Sequence, residues 1–391
     1  MQNQCVPRKQ PTVLTRHPKP NSDTRVQVVS TKLRELAFRK GPDAKLPTLR
    51  ELCRTYEVSQ STISSVLDQL EEESVLYRKD RSGIFVSPQI HHKRYAVLLA
   101  TSLFQSMGAS PFWGMLWGQI ANLTQERAAA NSETFQFLLI SEDDCKDPQS
   151  FDRYVRPEHL HGVLAVGFFS EAYVEWVRNV QVPVVAFAGV GHSIIEVDNR
   201  NIIRYGVDEL AAAGCSKIGF WRFNATDYSL DWADYNWQFE DEIFHSALAR
   251  NGLGRDDSLF IPFSQLREPH EITGPRLQEQ GYRIAMHVLA NPDTPKPDGV
   301  IITDDMAAFG VLQAMSRLKL IPGEDLRIAS HRNRNSITLF GHEDQLILFD
   351  VDPAEIIAAM FERLDSTKPG GPVSGGIYSI QAKLTTPSHT E

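Results

Sequence analysis

The chain has 391 residues, 42% of them hydrophobic and 23% charged, with a net charge of −9. That length exceeds what a single core usually holds, so two or three domains of an ordinary soluble protein are expected. No apolar run approaches the roughly eighteen residues of a membrane span, no signal-peptide h-region opens the sequence, and the four scattered cysteines imply neither a disulfide framework nor a zinc site.

A cytoplasmic protein without metal or other cofactor is the simplest reading. Its charge is divided unevenly. Residues 1–94 hold 17 Lys+Arg against 10 Asp+Glu, which leaves 23 against 39 in residues 95–391. A basic head on an acidic body suits a protein that meets a polyanion with one end only.

Residues 1–22 are Pro-rich and basic, with no acidic residue, and are expected to form a disordered tail. The next block runs from 23 to 88. Val26, Val29, Leu33 and Leu36 give a first helix, ended by Gly41-Pro42. Thr48 and Glu51 have capping-box spacing, so a second helix starts after Pro47, with Leu49, Leu52, Cys53 and Tyr56 on one face. Ser59 caps a third, which carries Ile63, Val66, Leu67 and Leu70. Two short amphipathic helices parted by a brief break read as helix-turn-helix. After them Val75–Tyr77, a basic turn with Lys79, Arg81 and Gly83, and Ile84–Val86 read as a β-hairpin wing.

The run LPTLRELCRTYEVSQSTISSVLDQLEEESVLYRKDRSGIFVSP resembles the winged helix-turn-helix of GntR-type transcription regulators. The resemblance implies that Arg50, Gln60, Ser61, Thr62 and Ser64 face double-stranded DNA, with Lys79, Arg81 and Gly83 on the wing. Gln60 and Ser64 stand where that family usually has arginine. Each lost arginine removes a bidentate base contact or a charged phosphate contact, so an unusual operator or weaker binding is expected. The competing reading of the head is a three-helix protein-interaction module.

Residues 89–94 form a linker containing His91-His92, a pair read as solvated rather than metal-bound. From Tyr95 the pattern changes to short, continuously apolar runs, the mark of strands buried on both faces. Strands are expected at Tyr95–Ala100, Phe135–Ile140, Gly162–Val166, Val182–Phe187, Lys217–Trp221, Gly299–Ile302, Leu326–Ser330 and Leu346–Asp350. They alternate with helices near 112–130, 148–156, 170–179, 201–213, 237–250, 275–290, 305–318 and 353–365. This is an α/β body of doubly wound parallel sheets, and its length calls for two lobes.

Residues 95–391 resemble the effector-binding domain of LacI/GalR-type regulators, a periplasmic-binding-protein-like (type I) fold. The match rests on Ser110-Pro111-Phe112-Trp113, Leu210 to Gly219 and, most specifically, the run PDGVIITDDMAAFGVL from Pro297 to Leu312. A GntR-type head on such a body resembles the arabinose-repressor-like regulators of some bacteria. The resemblance implies a homodimer and a small-molecule effector, a carbohydrate by preference, held between an N-lobe of about 95–190 and 326–365 and a C-lobe of about 191–325 and 366–391. Hinge crossings are expected near 190, 325 and 366.

Asp305 falls on the family's ligand-touching aspartate, at the strand end where open α/β sheets bind ligands. Phe112, Trp113 and Trp221 are candidates for stacking on a sugar ring, and Tyr228, Trp232, Tyr235 and Trp237 cluster in an expected loop. Departures from the family pattern are Ala188, the acidic run Glu240 to Glu242, and Ser330-His331-Arg332-Asn333. They make Arg222, His331 and Arg332 the expected new polar contacts. The alternative is a body that is enzymatic or unresponsive to ligand.

Neighbouring carboxylates such as Asp143-Asp144 point apart and make no acid/base pair. Gly189-Val190-Gly191 lacks the third glycine of a dinucleotide loop and reads as a hinge turn. No other catalytic motif appears, so a non-enzymatic transcription regulator, a repressor by that family's habit, is expected.

Overall fold

The computed structural model describes residues 22–105, 110–157, 160–223, 231–266, 276–366 and 375–385; residues 1–21 of the expected tail and Tyr228 lie outside them, and Ser22 begins a helix. The chain divides into two compact units, after His92.

The first unit holds helices α1 (Ser22–Lys40), α2 (Leu49–Tyr56) and α3 (Gln60–Glu72) and the hairpin β1 (Leu76–Lys79) and β2 (Gly83–Val86). Its core is the apolar stripe the sequence sets out: Leu33, Leu52, Ile63, Val66, Leu67 and Leu70 are buried together with Leu76 and Val86. The wing has a third member that periodicity did not reveal. Residues 43–46 run beside β2, with Val86 N donating to Ala44 O at 2.9 Å and Leu46 N to Ile84 O at 2.9 Å. Four residues bounded by Pro42 and Pro47 are too few to show an alternation.

Among the described residues the second unit contains two six-stranded sheets. Its elements begin with β3 (Lys93–Ala100), α4 (Ser102–Gln105), α5 (Pro111–Asn131), β4 (Glu133–Ile140), α6 (Pro148–Val155), β5 (Gly162–Val166), α7 (Glu171–Asn179), β6 (Val184–Phe187) and β7 (Ser193–Val197). There follow α8 (Asn199–Ala212), β8 (Ile218–Arg222), α9 (Asp231–Arg250), β9 (Phe260–Pro262), α10 (Leu277–Leu289), β10 (Gly299–Ile302) and α11 (Asp305–Leu318). The last described elements are β11 (Arg327–Asn333), β12 (Ile347–Val351), α12 (Pro353–Ser366), β13 (Gly376–Ile380) and β14 (Lys383–Thr385).

The N-lobe sheet is wholly parallel, in the order β13-β7-β6-β5-β3-β4. The C-lobe sheet runs β14-β12-β11-β10-β8-β9 and is parallel except for its antiparallel edge strand β14. β3, β5, β6 and β10 are buried along nearly their whole length, which is why they read as continuous apolar runs.

The lobe boundaries differ from the sequence expectation. β11 and β12 belong to the C-lobe sheet, while α12 returns to the N-lobe, where Ile356, Ile357, Met360, Phe361 and Leu364 join the core. β7 and β13 also pair in the N-lobe. The crossings therefore fall at Asp198, Asp352 and residues 381–382, and not near 190, 325 and 366. Strand partners decide membership, and a single sequence does not name them.

The glycine turn at 189–191 joins two strands of one sheet and is not an interlobe hinge. There a side chain at Gly189 would meet the Phe168 carbonyl oxygen at 2.8 Å. A polar knot ties two crossings together: Asp198 accepts from Asn201 N (3.1 Å), Asn201 Nδ2 (2.6 Å) and Gln381 Nε2 (2.7 Å). α9 starts six residues before the expected 237, so Trp232, Tyr235 and Trp237 occupy helical positions rather than a loop. No helix among the described residues is long and apolar enough to cross a membrane.

Candidate nucleic-acid interface and effector cleft

The head presents two capped helix starts. Thr48 Oγ1 accepts from Glu51 N at 3.4 Å while Glu51 Oε2 accepts from Thr48 N at 2.7 Å, a complete capping box that aligns α2 and holds the Glu51 carboxyl below its ordinary range. Ser59 caps α3 by accepting from Thr62 N at 3.2 Å, and its hydroxyl also meets those of Ser61 and Thr62 at 2.8 Å each. Helix N-termini with free donors and partial positive charge are suited to phosphate.

Arg50, Gln60 and Ser61 are exposed at these starts, with Thr62 and Ser64 half-buried on the same turns of α3. Lys79 and Arg81 are exposed on the wing. Among the described residues no carboxylate neutralises Arg50, Lys79 or Arg81. By contrast, Arg78 is held by Asp68 (2.6 Å) and Glu71 (2.5 Å), and Arg34 by Glu73, so these three carboxylates are spent internally. Gly83 sits at φ +118°, a conformation side chains avoid, which gives it a backbone reason to be glycine.

In the C-lobe the polar residues gather where β10 and β11 end. Asp304 caps α11 by accepting from Ala307 N at 2.9 Å, and burial followed by the neighbouring Asp305 pushes its carboxyl above the usual range. Asp305 is only 1% exposed and accepts from Asn333 Nδ2 at 3.0 Å. His331 is buried, which lowers its pKa and favours the neutral ring against the opposing pull of Asp305 and Asp350. Among the described residues His331 Nε2 and Asn333 Oδ1 make no well-formed hydrogen bond, although the Asn333 side chain lies near enough to His331 to raise its pKa against the effect of burial. Buried polar atoms rarely stay unsatisfied, so a polar ligand or water is called for here.

Two expected contacts read differently in the structure. Trp221 is fully buried in the C-lobe core, on the face of β8 opposite Arg222, and does not offer its ring to a ligand. Its exposed-looking place at a strand end hid the parity of the strand. Arg332 is engaged bidentately with Asp350, Nε to Oδ1 at 2.7 Å and Nη2 to Oδ2 at 2.8 Å, across the β11–β12 pair.

Arg222 lies over the Phe260 ring at 5.4 Å. Its charge reaches Glu240, whose carboxyl is nonetheless pushed up to about 7 by burial, with Arg222 and Arg200 pulling the other way. Asn333 enters the candidate site, and Glu240 the surroundings of Arg222, as groups the sequence had marked only as departures from a pattern.

On the N-lobe, Phe112 and Trp113 meet edge-to-face at 5.0 Å and both pack on Phe187, the last residue of β6, at 5.8 and 6.4 Å. These half-buried rings lie at the C-terminal end of the N-lobe sheet, and Asp305, His331 and Asn333 at that of the C-lobe sheet.

Residues 27–86 match the family of bacterial regulatory proteins of the gntR type. An uncharacterized HTH-type transcriptional regulator, YurK of Bacillus subtilis (strain 168), is 39% identical over 71 residues, 18% of this chain and 29% of that protein. The HTH-type transcriptional repressor NagR of the same organism is 32% identical over 89 residues, 22% of this chain and 37% of that protein. The matched stretch thus spans about a third of the length of these relatives.

The fold as a whole is similar to that of the transcriptional regulator CelR in a cellobiose complex, with a TM-score of 0.53 and 15% identity over 87% of this chain and 99% of that one. It is also similar to the transcription regulator CcpA of Lactococcus lactis, with a TM-score of 0.55 and 15% identity over 75% and 98%. Residues 27–86 are a GntR-type winged helix-turn-helix domain, in a chain whose body has the two-lobed α/β fold of LacI/GalR-type regulators.

Proposed function

We propose that the protein is a transcription regulator, by preference a repressor, whose head binds a DNA operator under the control of a small molecule held between the lobes of its body. One observation carries this reading: a domain of the GntR type presents uncompensated Arg50 at one of two capped helix starts and uncompensated Lys79 and Arg81 on its wing. The unsatisfied His331 and Asn333 atoms beside Asp305, opposite in kind to the aromatic Phe112-Trp113-Phe187 group, support a ligand with a polar edge and an apolar face. A carbohydrate has both. The cellobiose in the CelR structure is in keeping with that class.

The test is fluorescence anisotropy on DNA from upstream of the protein's own gene, at several salt concentrations, with and without mono- and disaccharides. Tight, salt-steep binding released by one sugar is the expected result. Absence of specific binding would remove the regulatory reading. Arg50→Ala is expected to weaken binding and to make the plot of log affinity against log salt shallower by about 0.9 if Arg50 neutralises one phosphate; an unchanged slope would count against that contact.

We read the assembly as a homodimer. Support comes from β4, which is the edge strand of the N-lobe sheet and exposes Phe137 (37%) and Leu139 (60%) beside Trp117, whose ring is 5.3 Å from that of Phe137. An exposed apolar edge strand is normally covered. Leu139→Lys is expected to shift the protein from dimer to monomer in sedimentation velocity and to weaken DNA binding at least tenfold. A dimer unchanged by the substitution would place the interface elsewhere.

A further inference from the structure

We propose that Lys45, on the outer face of the three-stranded wing, is a DNA-phosphate contact that joins the wing tip to the start of α2. The inference rests on the DNA-binding reading above and adds a residue and a surface to it.

The argument starts from register. Lys45 is paired with Phe85, and Phe85 with Tyr77, so these three side chains form one row across the wing; Lys79, opposite Gly83, lies one step along the same face. The opposite face carries Leu46, Leu76, Ile84 and Val86, all buried, and Arg78, which is neutralised by Asp68 and Glu71. The wing therefore separates its charges. Arg78 on the inner face is spent on α3, while Lys45 and Lys79 on the outer face are exposed and have no ion pair among the described residues. The one acidic group on that face is Asp43, which accepts from the Tyr77 hydroxyl at 3.2 Å.

Position adds to this. The Lys45 stem lies against the wing-tip glycine: a Cβ at Gly83 would be 3.1 Å from Lys45 Cε and 3.7 Å from Nζ. Nζ sits 5.8 Å from the centre of the Phe85 ring, so the stem is supported while the ammonium stays in water. Three residues further on is Thr48, the cap of α2, and five further on is Arg50. A compact, strongly hydrated charge at this point suits a phosphate oxygen, and it carries no base specificity.

The test uses the full-length protein and a mixed-sequence duplex, so that no operator need be known. Affinity is measured by anisotropy across a salt series for wild type, Lys45→Gln, Lys45→Arg, Arg50→Ala and Lys296→Gln. Glutamine keeps the stem over Phe85 and removes the charge. The expected result for Lys45→Gln is a several-fold weaker affinity at low salt and a log–log slope shallower by about 0.9. Lys45→Arg should restore the slope, and Lys296→Gln, an equal charge loss on the C-lobe surface, should leave it unchanged.

A wild-type slope in Lys45→Gln, with Arg50→Ala flattened, overturns the Lys45 contact and leaves the DNA-binding reading standing. Equal flattening by Lys296→Gln also overturns it, since net charge alone would then be responsible. No binding of the duplex by the wild-type protein at low salt brings down both.

Discussion

Gly310→Ala is expected to lower the stability of the C-lobe by about 3 kcal/mol, at the upper end of what overpacking a core usually costs. α10 and α11 approach so closely that a Cβ at Gly310 would lie 1.9 Å from the Gln278 carbonyl oxygen and 2.8 Å from Tyr282 N. The contact is reciprocal, because a Cβ at Gly281 would lie 2.0 Å from the Ala307 carbonyl oxygen. In both cases the obstacle is helix backbone, which cannot rotate aside as a side chain can.

The helices would have to part, and the buried face of α11, with Ala307, Ala308, Val311, Leu312 and Met315, would lose contacts along its length. Denaturant unfolding followed by tryptophan fluorescence checks the expectation through a lower midpoint for the body. Because the head is a separate compact unit, its affinity for DNA at low temperature should fall only modestly. An unchanged midpoint would mean that the helix pair is looser than its geometry indicates.

Asp305→Ala is expected to abolish the response to effector, by a hundredfold or more in the concentration needed, while leaving DNA affinity within a few-fold of wild type. The carboxylate is buried at the first turn of α11, and Asn333 Nδ2 donates to it at 3.0 Å, which holds both groups at the C-terminal end of the sheet. Removing it takes away the acceptor assigned to the ligand in the proposed reading and leaves the Asn333 donor without its partner, a loss of about 1–3 kcal/mol before any ligand is considered.

Control of DNA binding by ligand requires that the ligand prefer one state of the body over the other. If Asp305 anchors the ligand as proposed, losing it removes that preference and leaves the head untouched. The measurement is anisotropy on the same DNA with the effector found to act on the wild-type protein, repeated with Asp305→Asn, which keeps the shape and the link to Asn333. Parallel loss of DNA affinity in the alanine variant would reassign Asp305 to structure alone.

The sequence by itself determined the local elements wherever periodicity was long enough to register. The three head helices, their two caps and the wing hairpin follow from apolar spacing and from Thr48, Glu51 and Ser59, and each is present as the spacing requires. The central strands were legible for a related reason: β3, β5, β6 and β10 are covered on both sides and so are written as unbroken apolar runs. Residues 43–46 and the short strands β7, β9, β13 and β14 were not legible, since three to five residues, in all but β7 at the edge of a sheet, carry too little pattern.

Only the tertiary structure decided which strands pair, and with that which lobe each segment joins. β11 and β12 read as strands from sequence, but their assignment to the C-lobe depends on partners more than ten residues away. The same holds for the candidate site. Asp305 was legible because it lies in a recognisable run, but the burial of Trp221, the pairing of Arg332 with Asp350 and the meeting of Asn333 with Asp305 depend on strand parity and register. A shift of one residue turns a side chain to the other face, and nothing local in the chain fixes which way it falls.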